Sequence, residues 1–179
     1  MRVPIVVIVG EFGSGKSLLA RYLAEEFILK HPDKNLITNM TMYDIEYIPL
    51  KIEDLAKSPF PDYIRNGLLI LDEIQSGTDA YDFMKSGVRR ATKFISQIRK
   101  YDLELIMITP RLDNINKRLR EITNYIVTMQ ETNIKGVVAG NWYFINNYAV
   151  DMRPKWLSSF RLDLTEYFEK YDTKQIIGE

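Results

Sequence analysis

The sequence predicts an α/β fold, a three-layer sandwich in which helices cover both faces of a mostly parallel central sheet. Short apolar runs rich in β-branched residues recur along the chain, as is typical of strands buried on both faces. Segments with apolar residues at helical spacing separate these runs, and strands that alternate with helices indicate a parallel sheet. A glycine-rich loop joins the first run to the first helix. The 179 residues suffice for one domain with its own hydrophobic core.

The first half of the chain supplies three predicted strands. The run PIVVIVG ends at Gly10 and predicts the first strand, and KSLLARYLAEEFILKH predicts the helix that follows. NLITNM predicts the second strand. Three prolines interrupt YDIEYIPLKIEDLAKSPFPDYIRNG, so we expect only a short helix there, around Ile52 to Ala56. LLILDE then predicts the third strand.

The second half continues the alternation of helices and strands. A long helix is expected from about Phe83 to Tyr101, followed by a strand in LELIMITP, a helix in LDNINKRLREITN and a strand in YIVTMQE. GVVAGNWYFINNY indicates a hairpin or an extended edge strand, with a candidate turn at Gly140 and Asn141.

The C-terminal segment, from Pro154 onward, predicts mostly helix. Trp156 and Phe160 have helical spacing, and we expect them to pack this terminal helix onto the domain. The predicted organisation is therefore one domain over residues 1–179. It has a core of about 3–130 and an extension of about 131–179, made of a C-terminal β-hairpin and helix.

The composition is that of an ordinary globular protein, with 46% hydrophobic and 27% charged residues. The formal net charge of +0 excludes a global basic field, so contact with a polyanion requires a local patch or a ring of subunits. The absence of cysteine excludes disulfides and thiolate zinc sites. No apolar run approaches the roughly 20 residues of a membrane helix, and the chain begins with a predicted strand. We therefore expect a cytoplasmic protein without stable membrane insertion.

The segment GEFGSGKS fits the phosphate-binding motif G-x-x-x-x-G-K-[ST] in full, between a predicted strand and a predicted helix. Glycines let backbone N–H groups surround an anion, and the helix directs its positive end to the same point. Lys16 would reach the β- and γ-phosphates of ATP, and Ser17 would place its hydroxyl on Mg²⁺. The sequence therefore predicts a P-loop NTPase. The expected ATP-binding residues are Gly10, Glu11, Phe12, Gly13, Ser14, Gly15, Lys16, Ser17 and Leu18.

Asp72 and Glu73 close the apolar strand GLLILDE. A carboxylate at the carboxyl end of a parallel strand lies where open α/β sheets bind ligands. We expect Asp72 to hold Mg²⁺ and Glu73 to take a proton from an attacking water; the alternative is a solvated acidic strand end. The pair resembles that of the additional-glutamate division of P-loop NTPases, which favours hydrolysis over transfer to a small acceptor.

Thr109 ends the strand LELIMIT. In the additional-glutamate division, this sensor strand lies between the phosphate-loop strand and the acidic strand. Its terminal polar residue contacts the γ-phosphate or the attacking water. The resemblance implies this sensor role for Thr109, although a threonine at a strand end is also common without any function. Pro110 stands where many relatives have glutamine.

The basic residues after the acidic pair have two candidate roles. Arg118 and Arg120, in NKRLREITN, are the preferred candidates for an arginine finger that completes a neighbouring subunit's active site. Arg89, Arg90 and Lys93 are candidates for contacts with DNA phosphates along a channel. The sequence leaves the assignment of these roles open.

The order of the phosphate loop, LLILDEIQ, SQIRKYDLELIMIT and INKRLREITNYIV resembles the FtsK/HerA superfamily of DNA-pumping ATPases. Within this superfamily, the chain resembles compact viral genome-packaging ATPases, including those of archaeal viruses, and it also resembles Zot-like assembly proteins of filamentous phages. The resemblance implies a hexameric ring with ATP and Mg²⁺ at subunit interfaces and double-stranded DNA in the centre. For a viral protein it also implies the host cytoplasm or the virion as location, and a capsid or portal-like vertex as partner.

Three alternatives to a packaging motor stay open. A Zot-like assembly or secretion ATPase would move protein or build virions without gripping DNA, but such proteins usually carry a membrane helix after the core. A small nucleotide or nucleoside kinase is compatible with the length, although this sequence has neither the cysteine-bound zinc lid of thymidine kinases nor an arginine-rich lid segment. A non-catalytic nucleotide-binding switch is the third alternative.

Overall fold

Eight strands form one sheet in the computed structural model of the protein, which describes residues 4–57, 59–72, 94, 97–115, 117–145 and 153–167. The strands are β1 (Ile5–Val9), β2 (Asn35–Thr38), β3 (Ile48–Pro49), β4 (Gly67–Leu71), β5 (Leu103–Thr109), β6 (Tyr125–Gln130), β7 (Val137–Phe144) and β8 (Lys155–Asp163). Their order across the sheet is β3-β2-β4-β5-β1-β6-β7-β8. The first six strands in this order pair in parallel with one another, whereas β7 pairs antiparallel with both β6 and β8. The prediction of a mostly parallel sheet is confirmed.

Strand β5 lies between β1 and β4, as the resemblance implied for the sensor strand. The carboxyl ends of these three parallel strands therefore meet at one edge of the sheet. Thr109 is paired with Val9, the last residue before the phosphate loop. This strand order brings the phosphate loop, the acidic strand end and the sensor strand end to the same side of the molecule.

Two α-helices have defined bounds within the described residues, α1 (Lys16–Lys30) and α2 (Lys117–Ile122). Short 3₁₀ helices cover Ile52–Ala56, Leu112–Asn114 and Thr165–Tyr167. Phe94 and residues 97–100 are also helical, but most of the long helix predicted from Phe83 to Tyr101 lies outside the described residues. Within the part of the chain that the structure describes, no helix has the length and apolar character needed to cross a membrane.

Two hydrophobic cores lie on opposite faces of the sheet, because successive side chains of a strand point to opposite sides. On one face, Val7 of β1 packs in a core that includes the helical residues Phe94 and Leu119. On the other face, Ile8 belongs to the core that α1 covers. From α1 this second core takes Leu18, Leu19, Ala20, Ala24 and Phe27. The three-layer arrangement predicted from the sequence is therefore confirmed.

The turn predicted at Gly140 and Asn141 does not form, because both residues lie in the middle of β7. Gly140 is paired with Met129 of β6 and Phe160 of β8. A Cβ atom at Gly140 would lie 2.4 Å from the carbonyl oxygen of Thr128. The glycine therefore permits close packing of three strands, and the local turn signal is overridden by this tertiary contact.

The helix predicted from Pro154 onward is wrong over residues 155–163, which form β8. Phe160 and Leu162 pack against the core below α1, while Arg161 between them is exposed, so this part of the segment has the period of a strand. Trp156 is 61% exposed and packs no helix onto the domain. The segment GVVAGNWYFINNY contains one strand, β7, in place of a hairpin, and β7 pairs antiparallel with β8. Residues beyond Tyr167 lie outside the described residues.

The helix predicted over LDNINKRLREITN is shorter than expected. The 3₁₀ helix Leu112–Asn114 and α2 are separated at Ile115, whose backbone is extended with φ −93° and ψ 137°. Ile115 is buried in the core on the α2 face of the sheet. The extended backbone thus inserts this side chain into the core before the chain enters α2.

Candidate active site

The phosphate loop connects β1 to α1 and has two glycines in the left-handed region, Gly13 with φ 77° and Gly15 with φ 84°. Residues with a Cβ atom rarely adopt this conformation. Gly15 also packs closely against β7, because a Cβ atom there would lie 2.5 Å from Val138 Cγ1. The loop is closed by Ser14, whose backbone N–H and hydroxyl both donate to the Glu11 carbonyl, at 3.2 and 2.8 Å.

Lys16 begins α1 and its side chain extends back over this loop. Its Nζ donates to the Glu11 carbonyl at 2.8 Å and lies 5.7 Å from the centroid of the Phe12 ring. Phe12 itself is 78% exposed. Leu18, by contrast, is buried in the core, so only its backbone can face a phosphate. The ammonium group is therefore at the phosphate loop, where the motif requires it.

Ser17 and Asp72 are brought together by the fold although 55 residues separate them in sequence. Ser17 lies in the first turn of α1, and Asp72 directly follows β4. The Ser17 hydroxyl donates to Asp72 Oδ2 at 2.9 Å. A hydroxyl and a carboxylate at this distance fit Mg²⁺, which takes oxygen ligands and is held by few protein groups when a nucleotide supplies phosphate oxygens. The described residues contain no cluster of three or more acidic, histidine or cysteine side chains that could hold a metal instead.

Asn39, which the sequence reasoning did not single out, holds the backbone of Asp72. The Asn39 carboxamide accepts a hydrogen bond from the Asp72 N–H at 2.9 Å and donates from Nδ2 to the Asp72 carbonyl at 3.0 Å. Asn39 directly follows β2, the neighbour of β4. Polar residues at strand ends identified Asp72 and Thr109 as candidates, and the same criterion applied to NLITNM would have identified Asn39.

Thr109 lies at the predicted strand end but its hydroxyl has a local partner. The side chain is buried, and Oγ1 donates to the Arg111 carbonyl at 3.0 Å. This bond fixes the chain just after β5. The sensor role of Thr109 stays a prediction.

The remaining predicted site residues differ in how far the structure describes them. Arg120 donates from Nη1 to Asp113 Oδ1 at 2.9 Å, in an ion pair within the same chain at the surface. Arg118 lies in α2, but its side chain is outside the described residues. Glu73 and the three residues predicted to contact DNA, Arg89, Arg90 and Lys93, also lie outside the described residues.

Several groups away from the phosphate loop have a shifted pKa. Burial, together with a 2.6 Å hydrogen bond to Asp54, raises the pKa of Tyr63 to about 12. Hydrogen bonds from Lys57 and Tyr63 in turn lower the pKa of Asp54. At the amino end of β5, burial raises the pKa of Glu104. These groups belong to the supporting structure and not to the candidate site.

Solved structures share this fold at low sequence identity. The N-terminal domain of zonular occludens toxin from Neisseria meningitidis is similar with a TM-score of 0.64 and 15% identity, covering 96% of this chain and 100% of that chain. The genome packaging NTPase B204 from Sulfolobus turreted icosahedral virus 2, in complex with ATP-gammaS, has a TM-score of 0.57 and 16% identity, over 88% of this chain and 98% of that chain. B204 from Sulfolobus turreted icosahedral virus, described as a DNA-packaging ATPase, has a TM-score of 0.54 and 16% identity, with the same coverage.

Sequence comparison identifies the family. A search of curated proteins found no match to this chain. The family model described as zonular occludens toxin (Zot) matches residues 4–158. This range contains the phosphate loop, Asn39, Asp72 and the paired strands up to β7. Since the match covers most of the sequence, the chain belongs to the zonular occludens toxin (Zot) family.

Proposed function

We propose that this chain is an ATPase whose subunits form a ring and use ATP hydrolysis to translocate double-stranded DNA. The observation that carries the proposal is the 2.9 Å hydrogen bond from Ser17 Oγ to Asp72 Oδ2. It joins the two predicted metal-binding oxygens beside the loop that would hold the phosphates. This convergence supports the binding of a nucleoside triphosphate together with Mg²⁺.

Binding in the proposed site begins with the backbone N–H groups of the phosphate loop, which would surround the phosphates. Lys16 Nζ would exchange the Glu11 carbonyl for β- and γ-phosphate oxygens. Ser17 and Asp72 would hold Mg²⁺, which when bound supplies positive charge next to the phosphate oxygens.

Hydrolysis in this proposal is an in-line attack of water on the γ-phosphate. Glu73, next to Asp72 in sequence, would orient this water and take its proton. Thr109 would contact the γ-phosphate or the water. Arg118 or Arg120 of a neighbouring subunit would stabilise the charge that develops in the transition state. Arg120 would have to leave Asp113 to do so.

DNA as the moved polymer is supported by the fold shared with B204, described as a DNA-packaging ATPase, and by the FtsK/HerA resemblance of the sequence. A chain with a net charge of +0 is compatible with DNA binding, because basic residues need only line the pore of a ring. Arg89, Arg90 and Lys93 are the proposed pore residues. The proposal includes a hexameric ring in the host cytoplasm or at a capsid vertex.

Membership in the Zot family favours a second candidate function. The family model matches residues 4–158, and Zot-like proteins were the sequence-based alternative in which ATP hydrolysis drives virion assembly or secretion. The chemistry of the site would be the same in both functions. They differ in whether DNA stimulates ATP turnover.

The test is the rate of ATP hydrolysis by the purified protein with and without long double-stranded DNA, with Glu73→Gln as the blank. DNA stimulation that is absent in Glu73→Gln supports the translocase. Turnover that is indifferent to DNA refutes the translocase and favours the assembly ATPase. Phosphoryl transfer to an added nucleoside or nucleotide indicates a kinase, and nucleotide binding without any turnover indicates a switch.

A further inference from the structure

We propose that Asn39 is a positioning residue of the metal-binding site, which holds Asp72 so that its carboxylate is oriented toward Ser17. This inference rests on the proposed function, since it assigns a task to Asn39 within the same nucleotide site. Two hydrogen bonds close a ring between the Asn39 carboxamide and the backbone of Asp72. Asp72 N–H donates to Asn39 Oδ1 at 2.9 Å, and Asn39 Nδ2 donates to the Asp72 carbonyl at 3.0 Å.

The two hydrogen bonds of the Asn39 side chain replace the strand pairing that ends just before Asn39. Parallel pairing of β2 with β4 ends at Thr38 and Ile70. Just after that pair, the buried Thr38 hydroxyl accepts from Met40 N–H at 3.0 Å, and the Thr38 carbonyl accepts from Leu50 N–H at 2.8 Å on the β3 side. A carboxamide has one donor side and one acceptor side, as a peptide group has. The Asn39 side chain therefore continues the hydrogen bonding of β2 to β4 where the backbone no longer does.

The consequence for the site concerns the orientation of Asp72. Both backbone groups of this residue are held on the β2 side, and its carboxylate accepts the hydroxyl of Ser17 at 2.9 Å on the α1 side. Both hydrogen bonds of Asn39 go to the backbone of Asp72, so Asn39 would act on the metal-binding carboxylate through that backbone. Partners of this kind orient metal ligands, and their loss typically costs metal affinity or activity. The Asp72 carbonyl also belongs to the peptide bond that leads to Glu73.

The same strand offers a matched control at its other end. Asn35, the first residue of β2, donates from Nδ2 to the Arg65 carbonyl at 2.9 Å. It is the same residue type, on the same strand, with a side chain that also bonds a backbone carbonyl. Because parallel strands carry their ligand sites at their carboxyl ends, Asn35 lies at the end of β2 away from the site. A purely structural role would make Asn39→Ala and Asn35→Ala behave alike.

The test measures binding of a fluorescent, non-hydrolysable ATP analogue in EDTA and at increasing Mg²⁺, for the wild type, Asn39→Ala and Asn35→Ala. In EDTA, all three are expected to bind equally, because that affinity depends on the phosphate loop. With Mg²⁺, the wild type and Asn35→Ala are expected to gain affinity. Asn39→Ala is expected to need on the order of 10- to 100-fold more Mg²⁺ for the same gain. Asn39→Asp, which keeps the shape and the acceptor but loses the donor, is expected to shift in the same direction.

Several results would overturn the inference. A Mg²⁺ requirement of Asn39→Ala within twofold of the wild type refutes it, as does an equal shift in Asn35→Ala. If Asn39→Ala does not fold, Asn39→Asp decides by the same criteria. Failure of the proposed function would give a different result. If the wild type binds the analogue but does not hydrolyse ATP, the ATPase proposal is refuted. The Mg²⁺ titration still tests Asn39 in that case.

Discussion

Gly15 and Gly13 provide a test of how the phosphate loop is held, because the two glycines share a conformation and differ in their surroundings. Both have positive φ, 84° for Gly15 and 77° for Gly13. A Cβ atom at Gly13 would have nothing within 4 Å, whereas at Gly15 it would lie 2.5 Å from Val138 Cγ1. We therefore expect alanine at Gly13 to cost only the left-handed conformation, about 1–2 kcal/mol of unfolding free energy.

Gly15→Ala is expected to cost the same conformational energy plus the overlap with Val138. Forcing an extra methyl group into a packed contact costs about 1–3 kcal/mol, so Gly15→Ala should destabilise the protein by about 2–5 kcal/mol in total. Val138→Ala removes the clashing methyl group and leaves Val138 Cβ 3.5 Å from the new Cβ. In a Val138→Ala background, the cost of Gly15→Ala should therefore fall to that of Gly13→Ala.

The assay is urea denaturation followed by circular dichroism without nucleotide, so that lost ligand binding does not contribute. A double-mutant cycle over Gly15→Ala and Val138→Ala gives the coupling energy, which should match the overlap cost of about 1–3 kcal/mol. Equal costs for Gly13→Ala and Gly15→Ala, or a coupling energy near zero, would refute the close packing of the phosphate loop on β7.

Three further predictions concern the site, its neighbours and the sheet. Ser17→Ala is expected to lose most of the Mg²⁺-dependent gain in nucleotide affinity while binding in EDTA is retained, as measured by analogue fluorescence. Arg120→Ala should lower ATP turnover by about 10³-fold or more if it is the arginine finger. Asp113→Ala, which removes only its surface partner, should not lower turnover. Burial raises the pKa of Glu104 in the folded protein, so folding favours the protonated carboxylic acid over the carboxylate. The stability that the protonated form gives the folded state is present below the unfolded pKa near 4.5 and is lost as pH rises through the folded pKa. Glu104→Gln should therefore raise the melting temperature at pH 7.5 relative to wild type, and this advantage should shrink toward pH 4.

The central strands could be predicted from the sequence because burial on both faces leaves a continuous apolar run. β4 and β5 consist almost entirely of buried residues, and β1 consists of buried and half-buried ones. The runs end at glycine or a polar side chain. The short helix Ile52–Ala56 was also predicted, since the surrounding prolines left little other regular structure possible. The phosphate loop was recognised from its motif alone, and its left-handed glycines agree with the physical role assigned to them.

The C-terminal strands could not be predicted in the same way because their local signals point elsewhere. In β8 the five residues from Lys155 to Ser159 are all exposed, so no alternation between core and solvent marks the first half of this strand. The spacing of Trp156 and Phe160 fits a helix equally well. Gly140 followed by asparagine is a turn signal in isolation, and only the close approach of three strands explains it. Both errors lie in the antiparallel part of the sheet, where tertiary contacts outweigh local preference.

Two segments outside the phosphate-loop motif, β7 and the end of β2, also support the candidate site. Val138 of β7 fills the space beside Gly15 at the start of α1, so the phosphate loop packs on the antiparallel extension as well as on the parallel core. On the opposite side, Asn39 bonds the backbone of Asp72 from the end of β2. Val138 lies about 120 residues from Gly15 in sequence, and Asn39 lies 33 residues from Asp72. A sequence motif therefore identifies the groups that bind the nucleotide, whereas the geometry that makes them act together is set by strand pairing across the whole sheet.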